Sequence, residues 1–240
     1  MNLKKIFLVG LVCAFLAPTN VFAGSAQFED GDFYASVNVG VAILNDIDFG
    51  ASLSSQGVTV SAAGSVTYDS AASISGTVGY IINEWVRTEF ELGYAEFDHD
   101  KAKGTLTVTV GGTNLASVGG ELNVKGEVKT FSGQATALFT PFGSTAFAGG
   151  SLTPLFGGGI GFLDWEDTID SIDDGTTTLA VNGKVEETDA IYNITAGLEY
   201  NQSQNLFVGI RYRHIWADSG QNGFEDAEVD NITGNLTYRF

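Results

Sequence analysis

The chain alternates apolar residues with small or polar ones in eight separate segments. In the first of them, Val37, Val39 and Val41 alternate with Asn38 and Gly40. Because successive side chains of a β-strand point to opposite faces of the sheet, a period of two predicts strands with one apolar face each. The segments lie at residues 33–41, 74–80, 86–94, 131–139, 156–162, 192–200, 206–212 and 232–240. Their spans approach the roughly 9–11 residues that a tilted strand needs to cross a membrane.

The connectors between these segments alternate in length. The short ones are residues 83–84, 141–153 and 201–205, and the long ones are residues 44–72, 98–129, 164–188 and 214–229. Short turns on one side and long loops on the other are typical of an outer-membrane barrel. The pattern therefore predicts an all-β fold: an eight-stranded antiparallel up-and-down transmembrane β-barrel with short periplasmic turns and long extracellular loops. An even number of strands places both termini in the periplasm.

A soluble sandwich or a lipocalin-type barrel also alternates, but its solvent face carries many charges. Here the polar face is mostly Gly, Ser, Thr and Asn, and the apolar face is nearly free of charge in the middle of every strand. Those two faces suit a narrow polar lumen and surrounding lipid. Aromatic residues gather at the strand ends, as expected at two membrane interfaces. Near the turns they are Tyr80, Trp85, Phe139, Phe142, Tyr200, Phe207, Tyr238 and Phe240, and toward the loops they are Phe97, Phe131, Phe162, Trp165, Tyr192, Tyr212 and Trp216.

The N-terminus has the three-part layout of a secretory signal peptide. A basic start, Lys4-Lys5, precedes the apolar run 6–16, and Val21 and Ala23 supply small residues at the -3 and -1 positions of a cleavage site. The run is much shorter than the roughly 20 residues of a membrane-spanning helix. The predicted organisation is a cleaved signal peptide at residues 1–23, a short periplasmic N-terminal segment at residues 24–31 and an outer-membrane β-barrel at residues 32–240.

Several strand segments also carry motifs. Residues 76–94 contain Gly-Thr-Val-Gly-Tyr and then Arg-Thr-Glu-Phe-Glu-Leu-Gly-Tyr, residues 153–162 read Thr-Pro-Leu-Phe-Gly-Gly-Gly-Ile-Gly-Phe, and residues 234–240 end in Phe240. These stretches resemble the second hairpin, the fifth strand and the last strand of the opacity/OmpA-like eight-stranded outer-membrane β-barrel surface proteins of Gram-negative bacteria. In that family, alternating apolar residues before a C-terminal Phe are the signal read by the barrel assembly machinery. The resemblance implies that role for Leu236, Tyr238 and Phe240.

The net charge of the chain limits the classes of molecule that it can bind. The 240 residues include 11 Lys+Arg and 29 Asp+Glu, a formal net charge of -18. Because a nucleic-acid binder needs a basic surface against phosphate, nucleic acid is excluded. Most of the negative charge falls in the four long connectors. The expected partners are outer-membrane lipid and lipopolysaccharide, the barrel assembly machinery, and a host or other extracellular ligand that contacts the loops.

The polar faces of the strands carry seven ionisable residues. By the alternation these point into the lumen, and they are Arg87, Glu89, Glu91, Glu199, Arg211, Arg213 and Arg239. The interior of an eight-stranded barrel is just wide enough for side chains to fill. We expect a lumen ion-pair network that plugs the barrel. The alternative is a gated pore for small solutes lined by the same charges.

Two of the long connectors keep the period of two. Val58 and Val60 in the first connector, and Leu106 and Val108 in the second, predict strand pairs that project beyond the membrane as a tall rim. A turn signal follows at residues 111–114. The alternative is that the second pair crosses the membrane and gives ten strands. Its charged residues argue against burial in lipid: Lys103, Glu121, Lys125 and Glu127.

The third long connector is densely acidic. Its acids within residues 164–174 are Asp164, Glu166, Asp167, Asp170, Asp173 and Asp174. Calcium sites need several carboxylates, but this segment fails the EF-hand pattern because Ile172 and Val181 occupy ligand positions. We expect neither metal nor other cofactor. The acidic face is instead expected to be solvated, or bridged loosely to cations near lipopolysaccharide.

The inventory of side chains argues against catalysis. The chain has two histidines, His99 and His214, and residues 214–217 lack the His-x-Ser-Asn pattern of lipid A deacylases of this barrel size. His99 lies between Asp98 and Asp100 at the base of a loop, where we expect a surface histidine. The sequence therefore predicts a non-enzymatic surface barrel with a structural role in the envelope and long acidic loops for adhesion or for host or ligand interaction. A small-solute porin-like channel is the alternative.

Overall fold

The computed structural model describes residues 31–55, 58–110, 112–141, 152–173, 178–203, 205–218 and 227–240. They form ten β-strands: β1 (Phe33–Leu44), β2 (Ile47–Ser55), β3 (Val58–Tyr68), β4 (Ala71–Asn83), β5 (Val86–Val110), β6 (Thr113–Phe139), β7 (Leu152–Asp173), β8 (Thr178–Asn201), β9 (Leu206–Asp218) and β10 (Ala227–Arg239). The predicted signal peptide, residues 1–23, lies outside the described residues, as does all of the segment 24–31 except Gly31. Among the described residues, no helix is long and apolar enough to cross a membrane.

Eight of these strands form a closed ring. Their order is β1-β4-β5-β6-β7-β8-β9-β10, and β10 pairs back onto β1. Every neighbouring pair in the ring is antiparallel. The predicted eight-stranded antiparallel up-and-down barrel is therefore confirmed. Closure suits a membrane because each strand finds hydrogen-bonding partners on both sides and no backbone edge faces lipid.

The alternation along each strand becomes an outer apolar belt and a polar interior. On β1, for example, the side chain of Val37 is 56% exposed, whereas Asn38 is 1% exposed. Exposed residues of the belt include Val37, Ile74, Val78, Phe90, Leu92, Phe156, Ile160, Ile194, Ile210, Ile232 and Leu236. Ten of the predicted interface aromatics are also exposed: Tyr80, Trp85, Phe131, Phe139, Phe162, Tyr192, Tyr200, Tyr212, Tyr238 and Phe240.

Three of the other predicted interface aromatics point inward instead. Phe97 and Phe207 are almost fully buried, and Trp165 packs against the buried apolar cluster inside the barrel. The prediction was wrong for them because it grouped aromatics by distance from the turns and ignored their position in the alternation. Phe97, for instance, has the same odd-numbered register as the inward Glu89 on β5. Phe142 lies outside the described residues.

One end of the barrel has short connections, and we call it the short-turn end; the opposite end is the long-strand end. At the long-strand end, β2 and β3 form a hairpin, and β3 pairs with β5 beyond the point where β4 stops. Strands β5 and β6 continue together to a turn at Gly112, whose φ of 82° favours glycine. The 25 residues of β5 are roughly 80 Å long at roughly 3.3 Å each, far more than a membrane crossing requires.

These pairings test the predictions about the first three long connectors. The strand pairs expected in the first two connectors are confirmed as β2–β3 and as the outer halves of β5 and β6. The ten-stranded alternative is wrong, because the second pair merely extends strands that already belong to the ring. The third connector was expected to be an acidic loop, yet β7 and β8 pair through most of it, up to Asp173 opposite Thr178. The sequence analysis weighed the acidic composition of this connector and did not examine its alternation of residue types, so it did not predict these strands.

The interior of the barrel has three layers. Nearest the short-turn end is a small apolar cluster of Tyr34, Ile81 and Phe207. The middle of the barrel is polar, with buried Asn38, Thr77, Gln134 and Asn193 among its members. Toward the long-strand end the inward residues are apolar. That apolar layer consists of Ala42, Leu44, Ile47, Ala71, Ala95, Phe97, Val128, Leu163, Ile191, Ile215, Ala217 and Val229, with Tyr68, Trp165 and Ala227 packed against it.

Candidate functional site

The polar layer contains six of the seven predicted lumen residues. Arg87, Glu89 and Glu91 alternate along β5 and therefore point to the same side of the strand. Arg211 and Arg213 do the same on β9, and Glu199 is contributed by β8: all six are buried. Strands β5 and β9 lie four places apart in both directions around the ring, so they face each other across the lumen.

Arg211 bridges the lumen. Its Nη1 donates to Oε2 of Glu89 at 2.6 Å, and its Nη2 donates to Oε1 of Glu89 at 2.9 Å and to Oε1 of Glu199 at 2.8 Å. Nη1 of Arg87 donates to the other oxygen of Glu199, also at 2.8 Å. Side chains from β5, β8 and β9 thus meet inside the barrel and connect its opposite walls.

A second ion pair lies beside this cluster, one step toward the long-strand end. Arg213 binds Glu91 with both terminal nitrogens, the second at 3.1 Å. Glu91 also accepts hydrogen bonds from Thr77 at 3.1 Å and from Asn38 at 3.3 Å. The three arginines and three glutamates of the network carry equal and opposite formal charge. Such compensation is necessary because a buried charge without a partner is strongly destabilising.

Tyr34 belongs to this network, although the sequence analysis did not select it. Its hydroxyl donates to Oε1 of Glu89 at 2.8 Å, and the guanidinium carbon of Arg87 lies 5.9 Å from the centre of its ring. Gly79 leaves the space for the ring: a Cβ at that position would lie 2.1 Å from Cζ of Tyr34. Tyr34 has the same even-numbered register as Asn38 on β1, so the alternation of residue types could have predicted that it points into the lumen.

Arg239, the seventh predicted residue, is not part of the cluster. It lies at the short-turn end, where its Nε is 3.6 Å from Oδ2 of Asp32. Arg239 has the same inward register as Asn235 and Thr237 on β10, but it is the last residue of that strand. Alternation alone identifies the face of a strand and leaves the height along the barrel undetermined, so the sequence grouped Arg239 with residues nearer the middle of the barrel.

The predicted insertion residues Leu236, Tyr238 and Phe240 lie on the outer face of β10 and just beyond its end. They are exposed by 51%, 50% and 72%, respectively. The rings of Tyr238 and Phe240 contact each other edge to face, with their centres 5.4 Å apart. The three residues therefore form an exposed apolar row on the outer face of the barrel at the short-turn end.

The expectation of a surface position for His99 was wrong. His99 continues the inward register of Arg87, Glu89 and Glu91 on β5, and its side chain is 1% exposed. Its Nε2 lies 3.3 Å from Oδ1 of Asp167, and its ring packs against Tyr68 with centres 5.2 Å apart. Burial acts to lower the pKa of His99, but the nearby carboxylate of Asp167 outweighs it and raises the pKa.

The acidic surface at the long-strand end is partly paired. Nζ of Lys184 lies 3.0 Å from Glu166 and 2.5 Å from Glu186, and Nζ of Lys101 lies 2.5 Å from Glu121. Within the described ranges, no three His, Cys, Asp or Glu side chains come together as a group that could hold a metal ion. Asp174 of the acidic segment lies outside those ranges.

Comparison with known proteins agrees with this geometry. The family described as outer membrane protein beta-barrel domain matches residues 9–240, and the chain belongs to that family. The protein is therefore an outer-membrane β-barrel, as the resemblance implied, and its apolar belt is the surface that faces lipid. No curated protein matches the chain.

Three solved structures illustrate the likeness. Neisserial surface protein A is 14% identical, with 87% of this chain and 97% of that chain covered and a TM-score of 0.45. OprG from Pseudomonas aeruginosa is 12% identical, with 90% and 98% covered and a TM-score of 0.49. Ail, the attachment invasion locus protein of Yersinia pestis, is 13% identical, with 88% and 99% covered and a TM-score of 0.41.

Proposed function

We propose that this protein is a non-conducting barrel of the outer-membrane surface, with a structural role in the envelope and an interaction role for the strands and loops of its long-strand end. In this proposal residues 1–23 are a cleaved signal peptide, and residues 24–31 and both termini lie in the periplasm. The long-strand end is then extracellular. The observation that carries the proposal is the bridge from Arg211 to Glu89, because it joins the two walls that face each other across the lumen.

A closed lumen favours a surface role over transport. The ion pairs of the network are buried, and the apolar layer with Phe97 and Leu163 follows directly above them. A solute that crossed the barrel would have to separate buried ion pairs, and each such separation costs several kcal/mol. We therefore place the porin-like channel second, as the outcome that the conductance experiment below would support.

The long-strand end offers the surface for interaction. The β2–β3 hairpin and the outer halves of β5 and β6 form one sheet, and the extended β7–β8 pair stands beside it. Asp98 and Asp100 point outward from β5, and Glu186 points outward from β8. We propose that this acidic surface contacts lipopolysaccharide through bridging cations and binds a host or other extracellular ligand.

We propose no catalytic role. His99 is buried against Tyr68 with one carboxylate partner, and Nδ1 of His214 on the outer face of β9 lies 2.7 Å from Oδ1 of Asp230. Neither arrangement places a nucleophilic hydroxyl against the imidazole, as a Ser-His-acid site requires. Insertion through the barrel assembly machinery is proposed to use the exposed row of Leu236, Tyr238 and Phe240.

Conductance in a planar bilayer tests the closed lumen. We expect the purified, folded wild-type protein to give no steps. We expect the Arg211→Ala variant, which loses the bridge but keeps the apolar layer with Phe97 and Leu163, to stay silent as well. Reproducible steps from the wild-type protein would refute the proposal and put transport of small solutes first.

A hairpin deletion tests the interaction role. Lys101 pairs with Asn123, so residues 102–122 can be replaced by a two-residue Asn-Gly turn that leaves the ring intact. We expect bacteria that display the shortened barrel to adhere less to epithelial cells and extracellular matrix than bacteria that display equal amounts of the full-length protein. Equal adherence would contradict a role for this hairpin in binding.

A further inference from the structure

A partly enclosed cavity lies inside the long-strand end, above the apolar layer. Its volume is about 380 Å³. The apolar lining comes from seven different strands and includes Ile47, Phe49, Val66, Ala102, Val124, Trp165, Ile169, Ile172, Val185 and Ala227. Small-molecule sites typically have volumes of about 300–1,000 Å³ and mostly apolar walls, so this cavity has the size and surface of a binding site.

The cavity is separated from the charged lumen and open on its other side. Its floor is the apolar layer, whose buried members Phe97, Val128 and Leu163 lie between the cavity and the pair Arg213–Glu91. Val185 lines the cavity but is 58% exposed, so solvent reaches the cavity at β8. A molecule can therefore enter from the long-strand end without passing the ion pairs.

A few polar groups converge on the apolar walls. His99 and Asp167 form their contact at the wall, Tyr68 lies against His99, and Glu187 on β8 completes the set. Two carboxylates and one imidazole line the cavity, so its wall is net negative whether or not His99 is protonated. An anionic ligand would be repelled there. An uncharged or cationic ligand would not, and Phe49, Tyr68 and Trp165 supply aromatic faces that also attract cations.

We propose that this cavity binds a small hydrophobic molecule that carries no negative charge, with its apolar body between Phe49, Trp165 and Val124 and its polar group beside His99 and Asp167. The site is independent of the proposed adhesion role, since its lining residues point inward. It also requires no passage through the barrel, because the cavity opens at the long-strand end beside Val185.

A pair of fluorescent probes on one scaffold tests both the site and the charge preference. N-phenyl-1-naphthylamine is uncharged, and 8-anilino-1-naphthalenesulfonate adds a sulfonate to the same ring system. Energy transfer from Trp165 reports binding in a Trp85→Phe/Trp216→Phe protein, whose remaining tryptophan lines the cavity. We expect saturable transfer to the uncharged probe and at least about tenfold weaker transfer to the anionic probe.

A matched pair of variants distinguishes probe that binds in the cavity from probe that binds in the surrounding detergent. Ala102→Phe adds a ring inside the cavity, whereas Ala190→Phe adds the same ring on the outer face of β8. We expect Ala102→Phe to weaken binding of the uncharged probe at least about tenfold and Ala190→Phe to leave it unchanged. Heat-modifiable gel mobility verifies folding, and Val124→Phe fills the same cavity if Ala102→Phe does not fold. Non-saturable transfer, or binding that the filled cavity retains, would overturn the site, and equal affinity for the anionic probe would overturn the ligand class.

Discussion

Replacing Arg211 with Met tests the lumen network most directly. The change keeps an unbranched side chain of similar length but removes the guanidinium that donates three hydrogen bonds to Glu89 and Glu199. The net charge of the six-residue network changes from zero to -1. Glu89 keeps its hydrogen bond from Tyr34, and Glu199 keeps its contact with Arg87. The variant therefore isolates the effect of one buried cation.

The expected magnitude follows from these contacts. Three charge-assisted hydrogen bonds, each contributing about 1.5–3 kcal/mol, set an upper limit on the loss. Because both glutamates keep one partner, the loss should lie near the range of about 3–5 kcal/mol that is typical when one member of a buried ion pair is removed. At about 1.4 kcal/mol per factor of ten, the unfolding equilibrium constant should rise by about two to four powers of ten.

Equilibrium unfolding in urea measures this change. The barrel is folded into lipid vesicles, and tryptophan fluorescence and gel mobility report the folded fraction across the titration. Ile210→Met on the neighbouring position is the matched control, since Ile210 faces outward and is 56% exposed. The double variant Arg211→Met/Glu89→Gln restores a net charge of zero. We expect it to be about 1–3 kcal/mol more stable than Arg211→Met alone, as coupled residues in contact allow.

Three results would refute this reasoning. A loss below about 1 kcal/mol for Arg211→Met would mean that the network contributes no more than an exposed surface pair. A double variant no more stable than the single variant would mean that the uncompensated charge of Glu89 is not the cause of the destabilisation. Equal losses for Arg211→Met and Ile210→Met would point to a general effect of substitution on β9.

Three further changes test other parts of the structure. Gly79→Ala should destabilise the barrel by about 1–3 kcal/mol, because its Cβ would overlap the buried ring of Tyr34. The pair of His99 and Asp167 should stabilise the fold below about pH 6.5 and lose its contribution as the pH rises through the raised pKa of His99, so His99→Gln should flatten that part of the pH profile of urea unfolding. Deleting Phe240 should lower the amount of folded protein in the outer membrane, measured by heat-modifiable gel mobility of membrane fractions.

The two substitutions have matched controls, and the deletion has a result that would contradict it. Gly76→Ala is the comparison for Gly79→Ala, since a Cβ at Gly76 would have nothing within 4 Å; equal losses would contradict the overlap. His214→Gln changes the histidine on the outer face of β9, and a pH profile that flattens only with this variant would exclude His99 as the cause. For the deletion, unchanged folded protein in the membrane would show that insertion does not depend on the last residue.

The alternation of residue types determined much of the architecture. A period of two is a local property, since each side chain lies opposite its two neighbours whatever the strand pairs with. It was therefore sufficient to predict eight ring strands, an apolar outer belt and the inward direction of Arg87, Glu89 and Arg211. The same alternation, continued along β5 beyond residue 94, would have placed Phe97 and His99 inside the barrel as well.

Only the tertiary structure decided which inward residues meet. The order of strands around the ring places β5 opposite β9, and the pairing registers place Arg211 level with Glu89 while leaving Arg239 beside Asp32 at the end of the barrel. Those relations depend on closure of the whole sheet, because a contact across the lumen joins residues such as Glu89 and Arg211 that are 122 positions apart in the chain. The apolar cavity around His99 arises in the same way, from seven strands that meet only in the folded barrel.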